Sequence, residues 1–336
     1  MATLKEIAER SGFSLSTVSI VLRGNAEQRG ITKATQDKIW EIAREMDYTP
    51  DIFARRLRSS RIKSKPLIAL FWSSDFQTYM MARFLKAVRR EILQGQMDCE
   101  VMIYTYQTGD IRQTFHEENL SMFNAAIICG ASVKDIAYLE EMELHIPIVF
   151  YNRKSEKYPC VCMDNREIGR MGAEILARNG CRRVLSAGSG LFRQELPERD
   201  SSFRERAAEL GIQVEERGVE HIDVENGYLL GTALCEAASM PDGIFFGGDM
   251  LAFGASRAFY QRGISVPEQV KLLSIGNSDP DYSRYSLISQ SVIQIPMEEM
   301  ARHCMKEIYK ELKEKQETRE DIVFHAAYVK AESCPL

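Results

Sequence analysis

The stretch TLKEIAERSGFSLSTVSIVLRG, residues 3–24, decides how the N-terminal part of this chain folds. Thr3 followed by Glu6 has the spacing of a capping box, and Gly12 suits the end of the helix that the box opens. After a tight turn, Ser14 can cap a second helix, because its hydroxyl can accept a backbone N–H of the first turn. The spacing therefore predicts two short helices separated by a tight turn.

The second of these helices, LSTVSIVL, carries a stripe of apolar residues on one side. Val18, Val21 and Leu22 share that side, so they are expected to face inward. Two helices this short cannot bury much apolar surface by themselves. A third helix, opened by Thr32 or Thr35, supplies the missing wall of a small core. Three helices in this order predict a helix-turn-helix unit, whose second helix enters the major groove of DNA.

The distribution of charge agrees with a polyanionic partner for the N-terminal part. Residues 1–65 contain 13 basic and 8 acidic residues, whereas the remaining residues contain 30 basic and 40 acidic ones. A basic end on an acidic body lets one region meet a polyanion while the rest stays away from it. Charge alone fits a solvated basic linker equally well, and the helix pattern favours DNA binding.

Short apolar runs alternate with longer amphipathic segments in the rest of the chain. This alternation is typical of an α/β fold with parallel sheets, and its length favours two doubly wound lobes over one very wide sheet. Ligands of such sheets bind beyond the carboxyl ends of the strands, so a cleft between the lobes is the expected binding site. The predicted strands are 67–71, 101–104, 125–129, 148–151, 184–187, 243–246 and 272–275, and the predicted helices include 83–93, 168–177 and 251–262.

The motifs resemble the lactose/purine repressor (LacI/GalR) family of bacterial transcription regulators. The N-terminal stretch is followed, in the family's order, by YTPDIFARRLRS (48–59), VCMDNREIGR (161–170), RDSSFRERAAELGI (199–212), VENGY (224–228), GGDMLAFGASRAF (247–259), GISVPEQVKLLSIGN (263–277) and IPMEEMAR (295–302). The resemblance implies a helix-turn-helix headpiece at 1–49 and a hinge helix with a linker at 50–65. It further implies a two-lobed, doubly wound, periplasmic-binding-protein-like (type I) sensor domain at 66–336.

In function, the resemblance implies a sequence-specific DNA-binding regulator, a repressor, whose operator affinity is controlled by a small molecule bound between the lobes. A homodimer on a near-palindromic operator is expected, because one helix-turn-helix reads only a half-site. The alternative is a cytoplasmic small-molecule binding or sensor protein with a degenerate headpiece that no longer reads DNA. Ile20 supports the alternative, whereas the intact helix caps and the basic stretch after Pro50 argue against it.

The predicted DNA contacts depart from the family in one informative way. At the position of Ile20 the family frequently has arginine, whose guanidinium group can bind guanine. Isoleucine can pack on a thymine methyl but cannot donate a hydrogen bond to guanine. Leu15 is apolar too, so we expect thymine in the half-sites opposite these two residues. The DNA contacts predicted outside the hinge are Thr3, Ser14, Leu15, Ser16, Thr17, Ser19, Ile20, Arg29 and Tyr48.

The basic stretch ARRLRSSRIK, residues 54–63, places Leu57 among arginines. In the family this hinge helix folds on operator DNA as a pair. Leu57 resembles the wedge that enters a base step of the minor groove, with Ala54, Arg55 and Arg58 beside it on the DNA. A stray leucine in a disordered linker is the other interpretation.

The effector site is carried over where the motifs match. Arg199, in RDSSFR, stands at the family arginine that grips effector oxygens or a carboxylate. Sugar rings prefer aromatic faces, but the chain has Met80, Met81 and Ile222 where relatives commonly present aromatic residues. Three possibilities remain: the effector is a sugar-like metabolite, the pocket is an adaptable one lined by methionine, or the cleft binds no small molecule. The predicted effector contacts are Tyr79, Met80, Met81, Asn152, Arg199, Ile222, Asp249 and Asn277. For Asp249, capping of the following helix is an equal possibility.

Other classes of function receive little support from the sequence. The five histidines show no metal-ligand spacing, Cys160 and Cys162 have no second ligand cluster nearby in sequence, and no nucleophile, Walker or dinucleotide motif is present. We therefore expect no enzyme, no cofactor and no metal site. The scattered cysteines, the charged N-terminus and the lack of a long apolar run predict a cytoplasmic protein that does not enter a membrane.

Overall fold

The computed structural model describes residues 3–22, 26–46, 48, 65–115, 122–189, 197–314 and 320–336. The chain divides into two units, Met1–Ser64 and Lys65–Leu336. Within the described ranges, no helix is both long and apolar enough to span a membrane.

The described residues of the first unit form three α-helices, α1 (Leu4–Ser11), α2 (Leu15–Leu22) and α3 (Lys33–Glu45), with a 3₁₀ turn at Glu27–Arg29 before α3. The predicted capping box of α1 is present: the N–H of Thr3 donates to Glu6 at 2.8 Å, and the N–H of Glu6 donates to the Thr3 hydroxyl at 3.3 Å. Gly12 ends α1 in the left-handed region, with a φ of 76°. Of the two candidate caps of α3, Thr32 is the N-cap. The core of this unit is formed by Ile7, Ala8, Val18, Val21, Leu22, Ala26, Ile39, Ile42 and Ala43.

The second unit contains two six-stranded sheets, each of which defines a lobe. In lobe 1 the sheet order is β11-β5-β4-β3-β1-β2, and all pairs are parallel. These strands are β1 (Leu67–Ser73), β2 (Glu100–Tyr106), β3 (Ala125–Cys129), β4 (Ile148–Tyr151), β5 (Cys160–Met163) and β11 (Ile322–Phe324). The helices of lobe 1 are α4 (Thr78–Gln94), α5 (Val133–Glu141) and α11 (Met297–Glu314).

In lobe 2 the sheet order is β12-β10-β9-β8-β6-β7, parallel except for the antiparallel pair β10 and β12. The strands are β6 (Arg183–Ser189), β7 (Gln213–Val219), β8 (Gly243–Phe246), β9 (Lys271–Gly276), β10 (Ser291–Gln294) and β12 (Ala327–Val329). The helices are α6 (Asn165–Arg178), α7 (Pro197–Glu209), α8 (Val224–Glu236), α9 (Asp249–Gln261) and α10 (Pro280–Tyr285). This is the predicted doubly wound α/β architecture with two lobes.

The chain crosses between the lobes three times, after β5, after β10 and after β11. The first and third crossovers touch, because the N–H of Asp164 donates to the carbonyl of Phe324 at 3.0 Å. The second crossover leads into α11, which lies against α4, β3, β4 and β5 of lobe 1. Both lobes are thus built from sequence segments on either side of the crossovers.

Burial accounts for most, but not all, of the strands that the sequence pattern identifies. β1 is buried along its whole length, with Ile68, Leu70 and Trp72 on one face of the sheet and Ala69 and Phe71 on the other. A strand covered on both faces reads as a continuous apolar run, so β1 and its central neighbours were predicted. Five strands lie outside the predicted set. They are β5, β7, β10, β11 and β12, of which β7, β11 and β12 are edge strands with exposed or half-buried residues, whereas β5 and β10 are inner, buried strands that the pattern missed.

Candidate DNA-binding and effector-binding sites

Helix α2 divides its side chains between a buried stripe and a solvent-facing surface. Val18, Val21 and Leu22 are buried against α1 and α3, as the spacing predicts. Leu15, at the start of the helix, is 51% exposed. Ile20 is half-buried on the same helix. The outer surface of α2 therefore offers apolar contact area beside hydroxyl groups.

The first turn of α2 is held together by its own hydroxyl groups. The Ser14 hydroxyl accepts the N–H of Thr17 at 3.1 Å and lies 2.9 Å from the hydroxyls of both Ser16 and Thr17. This is the N-cap arrangement predicted for Ser14. Ser16 is exposed, and Thr17 and Ser19 are half-buried. Helix α2 carries no acidic residue in its first turn and no basic residue in its last.

The other predicted DNA contacts occupy varied positions. Thr3 is exposed at the start of α1, and Arg29 is exposed at the end of the 3₁₀ turn. Tyr48 is half-buried, and its N–H donates to the carbonyl of Ala43 at 2.8 Å. The hinge residues Ala54, Arg55, Leu57 and Arg58 lie outside the described residues.

A cavity of about 480 Å³ lies where strands of both lobes end. Its lining residues follow the carboxyl ends of β1, β2, β3 and β4 in lobe 1 and of β7 and β9 in lobe 2, which is where ligands of doubly wound sheets bind. The described lining residues are Ser74, Asp75, Phe76, Gln77, Thr78, Tyr79, Met80, Thr108, Gly130, Arg153, Glu220, His221, Ile222 and Asn277.

Four of the predicted effector contacts line this cavity: Tyr79, Met80, Ile222 and Asn277. Met81 is half-buried and packs against a hydrophobic cluster that contains residues of both lobes. The remaining three are absent from the described lining, because each is engaged in the surrounding protein. They are Asn152, Arg199 and Asp249.

The side chains of Asn152 and Asp249 accept backbone hydrogen bonds instead. Asn152 has a φ of 54°, and its Oδ1 accepts the N–H of Met163 at 3.3 Å. Asp249 is the first residue of α9, whose N-cap is Gly248, so it does not cap this helix in the predicted way. Its carboxylate accepts the N–H of Ser278 at 2.9 Å and the Ser278 hydroxyl at 2.5 Å. Asp249 therefore ties α9 to the segment after β9.

Arg199 is buried in the first turn of α7, where it binds a neighbouring helix. Its Nη2 and Nε donate to Oδ1 of Asn165, on α6, at 2.6 Å and 3.2 Å. Burial lowers the pKa of Arg199 to about 10, with Asp200 opposing the shift and Arg153 adding to it. The guanidinium group stays charged at neutral pH, so the protein keeps a positive charge in this buried place.

Ten of the fourteen described lining residues were not predicted from the sequence, among them Arg153 and Phe76. Arg153 follows Asn152 and is only 5% exposed; its Nε donates to the carbonyl of Ala131 at 2.9 Å and its Nη1 to that of Asn152 at 2.8 Å. Its guanidinium lies over the ring of Phe76, 5.6 Å from the ring centroid. Arg153 is the second residue after the predicted strand 148–151, a position that could have identified it, whereas Phe76 lies in a turn five residues after the predicted strand 67–71.

One group of potential metal ligands lies away from the cavity. Asp164, Glu167 and His325 have ligand atoms within 4.8 Å of one another near the first and third crossovers. The Nδ1 of His325 lies 2.6 Å from Oε2 of Glu167, and this pairing raises the pKa of His325. All eight cysteines are free thiols, and six of them are buried.

Two family models match the chain. Residues 3–51 match the model described as bacterial regulatory proteins, lacI family, and residues 173–334 match a periplasmic binding protein-like domain. The chain belongs to the lacI family. The first match covers the three helices of the headpiece, and the second covers most of lobe 2, α11 and the last two strands.

Relatives and solved structures agree with this assignment. The chain is 24% identical to the HTH-type transcriptional regulator GanR of Bacillus subtilis over 95% of both chains, and 25% identical to the HTH-type transcriptional repressor PurR of Escherichia coli over 99% of this chain and 97% of PurR. A LacI family regulator from Clostridium acetobutylicum superposes with a TM-score of 0.74 at 27% identity, covering 79% of this chain and 99% of that one.

The structure of the lac repressor dimer bound to operator and the anti-inducer ONPF superposes with a TM-score of 0.71 at 18% identity, over 100% of this chain and 99% of that one. This likeness concerns the fold. As a member of the lacI family, the chain is a DNA-binding transcriptional regulator, which favours that interpretation over a sensor with a degenerate headpiece. The relatives are regulators of transcription, not enzymes.

Proposed function

We propose that this lacI-family protein is a homodimeric repressor whose hold on operator DNA is controlled by a small molecule in the cavity between its lobes. The cavity carries the proposal, since six strand ends from two lobes line it and a ligand there would contact both lobes at once. Its volume of about 480 Å³ falls within the range usual for small-molecule sites. Dimerisation follows from the half-site that each headpiece reads.

On DNA, α2 is proposed to read thymine through its apolar surface. Leu15 is half-exposed, and neither it nor Ile20 can donate a hydrogen bond to guanine. A thymine methyl is the base feature that matches such a surface in the major groove. The hydroxyls of Ser14, Ser16, Thr17 and Ser19 are proposed to contact phosphates and base edges. Thr3, Arg29 and Tyr48 are proposed to add further contacts.

The hinge residues complete the proposed DNA interface. Leu57 is proposed to wedge into a minor-groove step, with Ala54, Arg55 and Arg58 around it. Replacing Leu57 by alanine should then weaken operator binding and reduce the DNA bend. An unchanged bend would contradict the wedge.

The proposed effector is a sugar or sugar-like metabolite. Phe76 and Tyr79 provide aromatic side chains in the cavity, although the sequence lacks aromatic residues at the positions of Met80, Met81 and Ile222. Hydroxyl and amide groups from Ser74, Thr108 and Asn277 line the same space and suit ligand hydroxyls. Among solved structures of this fold, one is the transcriptional regulator CelR in complex with cellobiose, which makes saccharides the first class to test.

Arg199, Asn152 and Asp249 have a different proposed part in effector binding. Each is bonded to protein groups near the cavity, so we propose that they shape its walls and meet the ligand only after a rearrangement. Arg153, which lines the cavity, is proposed to contact ligand oxygens directly.

The deciding experiment is a binding-site selection with the full chain, followed by salt titration of the selected DNA. A repressor should return a two-fold symmetric site with thymine in both half-sites, and its affinity should fall steeply with salt as phosphate contacts release counterions. An invariant guanine contacted by the middle of α2 would contradict the proposed readout. Lack of any enriched sequence would contradict the function itself. A thermal-shift screen of saccharides against the same protein then tests the effector class.

A further inference from the structure

The guanidinium group of Arg83 joins the two lobes beside the cavity. Arg83 lies on α4 of lobe 1 and is only 6% exposed. Its Nη1 donates to the carbonyl of Asn277 at 2.9 Å and to that of Ser278 at 2.7 Å, and both residues follow β9 of lobe 2. These bonds span the gap between the lobes.

The other side of the same guanidinium group holds the helix that begins at the second crossover. Its Nε donates to Oε1 of Glu298 at 2.7 Å and its Nη2 to Oε2 at 2.6 Å. Glu298 is in the first turn of α11, which enters lobe 1 directly after the chain leaves β10 of lobe 2. The paired bonds use the planar fork of arginine, which lysine cannot reproduce.

On the lobe 2 side, the contact extends beyond the two carbonyl groups. Ser278 donates both its N–H and its hydroxyl to Asp249 at the start of α9. Asp249 is 1% exposed, and burial raises the pKa of its carboxyl group. Arg83, Ser278 and Asp249 thus form a continuous polar chain from α4 to α9. We call these three residues together with Glu298 the interlobe bridge.

The interlobe bridge shares its supports with the cavity. Asn277, whose carbonyl Arg83 holds, also lines the cavity. Tyr79 and Met80 line it from α4, one turn before Arg83, so they lie on the same side of the helix. A ligand that moves Asn277 relative to α4 must therefore stretch or break the bonds of Arg83. Arg83 itself is not among the described lining residues.

We propose that Arg83 is a positioning residue that couples occupancy of the cavity to the relative position of the two lobes. This inference rests on the proposed function of the cavity as the effector site. Two carbonyls and one carboxylate bind a single buried cation, so the lobes can separate here only if the carbonyl bonds are lost. Hydrogen bonds to a charged donor are among the stronger ones in proteins, and a lost partner in a buried place is costly.

The test compares the full-length protein with its variants Arg83→Met, Arg83→Lys and Arg302→Met. Arg302 is the matched control, because its Nε donates to Glu91 at 3.1 Å and so joins α11 to α4 within lobe 1 alone. Backbone exchange of residues 277–283 is followed by hydrogen–deuterium exchange, and the radius of gyration is followed by X-ray scattering.

In Arg83→Met we expect exchange at 277–283 to become about tenfold faster, the loss expected for bonds to a charged donor, and the radius of gyration to rise. Arg83→Lys should fall between this variant and the wild type, and Arg302→Met should match the wild type at 277–283. Equal exchange in wild type and Arg83→Met would overturn the inference. If Arg83→Met does not fold, Arg83→Lys and Glu298→Gln decide, with no change in either variant counting against the bridge.

Operator affinity of the same proteins separates this inference from the proposed function. Without added ligand, Arg83→Met should shift operator affinity by about tenfold, within the usual range of allosteric coupling, whereas Arg302→Met should not. Failure of the wild type to select any DNA would refute the proposed function while leaving the exchange result to judge the bridge. Wild-type DNA binding that Arg83→Met leaves unaltered would refute the coupling alone.

Discussion

Helix α2 and the cavity between the lobes assemble their functional side chains in different ways. All of the side chains that α2 is proposed to offer to DNA come from one run of eight residues, Leu15–Leu22, and the preceding Ser14. The cavity is lined by residues that range from Ser74 to Asn277 along the chain. A local surface depends on one helix being held in place, whereas a composite site depends on every strand end and on the position of both lobes.

The largest expected effect concerns the headpiece core. Val18 is fully buried in α2, so Val18→Asp places a carboxylate without a partner among Ile7, Val21 and Ile39. We expect operator binding to be lost, while the thermal transition of the two-lobed unit stays in place. Calorimetry and DNA titration of the full chain measure both. Ala34→Asp, at an exposed site on α3, is the control and should leave both operator binding and the thermal transition of the two-lobed unit unchanged. If Val18→Asp also abolished the thermal transition of the two-lobed unit, the comparison between a local and a composite site would fail.

The next effect tests the wall of the cavity. Gly130 has a φ of +79°, and a Cβ there would lie 2.8 Å from both Cδ2 of Phe76 and Cβ of Ser73. Gly109 has a similar φ of +84°, but the nearest contact of its Cβ is 3.9 Å away. Gly109→Ala should therefore cost only the backbone strain, about 1–2 kcal/mol. Gly130→Ala should cost more, about 2–5 kcal/mol, because strain and overpacking add.

Urea unfolding of the two variants measures this difference. Equal destabilisation would show that Phe76 moves aside at no cost. The shape of the cavity would then depend on that turn less than the structure indicates.

A smaller effect is expected at the surface of α2. Ile20→Arg adds a group that can bind guanine, so the preference at the contacted base should shift from thymine to guanine by about 1–3 kcal/mol. Competition binding with thymine- and guanine-containing half-sites measures the shift. Ile20→Leu serves as the control, since it changes the side chain at the same position without adding a hydrogen-bond donor. If Ile20→Arg raised the affinity for all DNA sequences equally, the new arginine would be contacting phosphates and not reading bases.

The smallest effect concerns the first and third crossovers. Glu167, with a contribution from Asp164, raises the pKa of His325 above its usual value. The pair therefore contributes stability that is complete below about pH 6.5, the ordinary histidine pKa, and is lost as pH rises through the raised pKa. Glu167→Gln should bring the pKa of His325 back toward its ordinary value in an NMR titration. Glu174→Gln, which removes a partner of Arg206, should leave the pKa of His325 as it is in the wild type.

Prediction from sequence succeeded where one segment decides its own structure. The capping box at Thr3, the left-handed end at Gly12 and the N-cap at Ser14 each involve residues within four positions of one another. Most of the inner strands were also predicted, because burial on both faces gives continuous apolar runs, although the buried inner strands β5 and β10 were missed. The edge strand β7 was missed, since its exposed residues are polar and its pairing with β6 joins segments about 30 residues apart.

Within the cavity, motif matching found Tyr79, Met80, Ile222 and Asn277 but also selected Asn152, Arg199 and Asp249, whose side chains bind protein groups in this structure. Arg153 and Phe76 were missed. A residue that closely follows the end of a strand in the sequence can be expected to lie near the cavity. Whether its side chain turns toward the ligand or toward a neighbouring backbone group depends on contacts that no local pattern contains.

The sequence by itself determined the three helices of the headpiece, the apolar residues on the outer surface of α2 and seven of the twelve described strands, because caps and periodicity act over a few residues. Only the tertiary structure decided that the guanidinium group of Arg83 binds both the carbonyl of Asn277 and the carboxylate of Glu298, which is 215 residues away along the chain. The physical reason is burial: a charged arginine is tolerated inside the protein only where the fold brings distant acceptors to it. That meeting of lobe 1, lobe 2 and a crossover exists only once the sheets have packed.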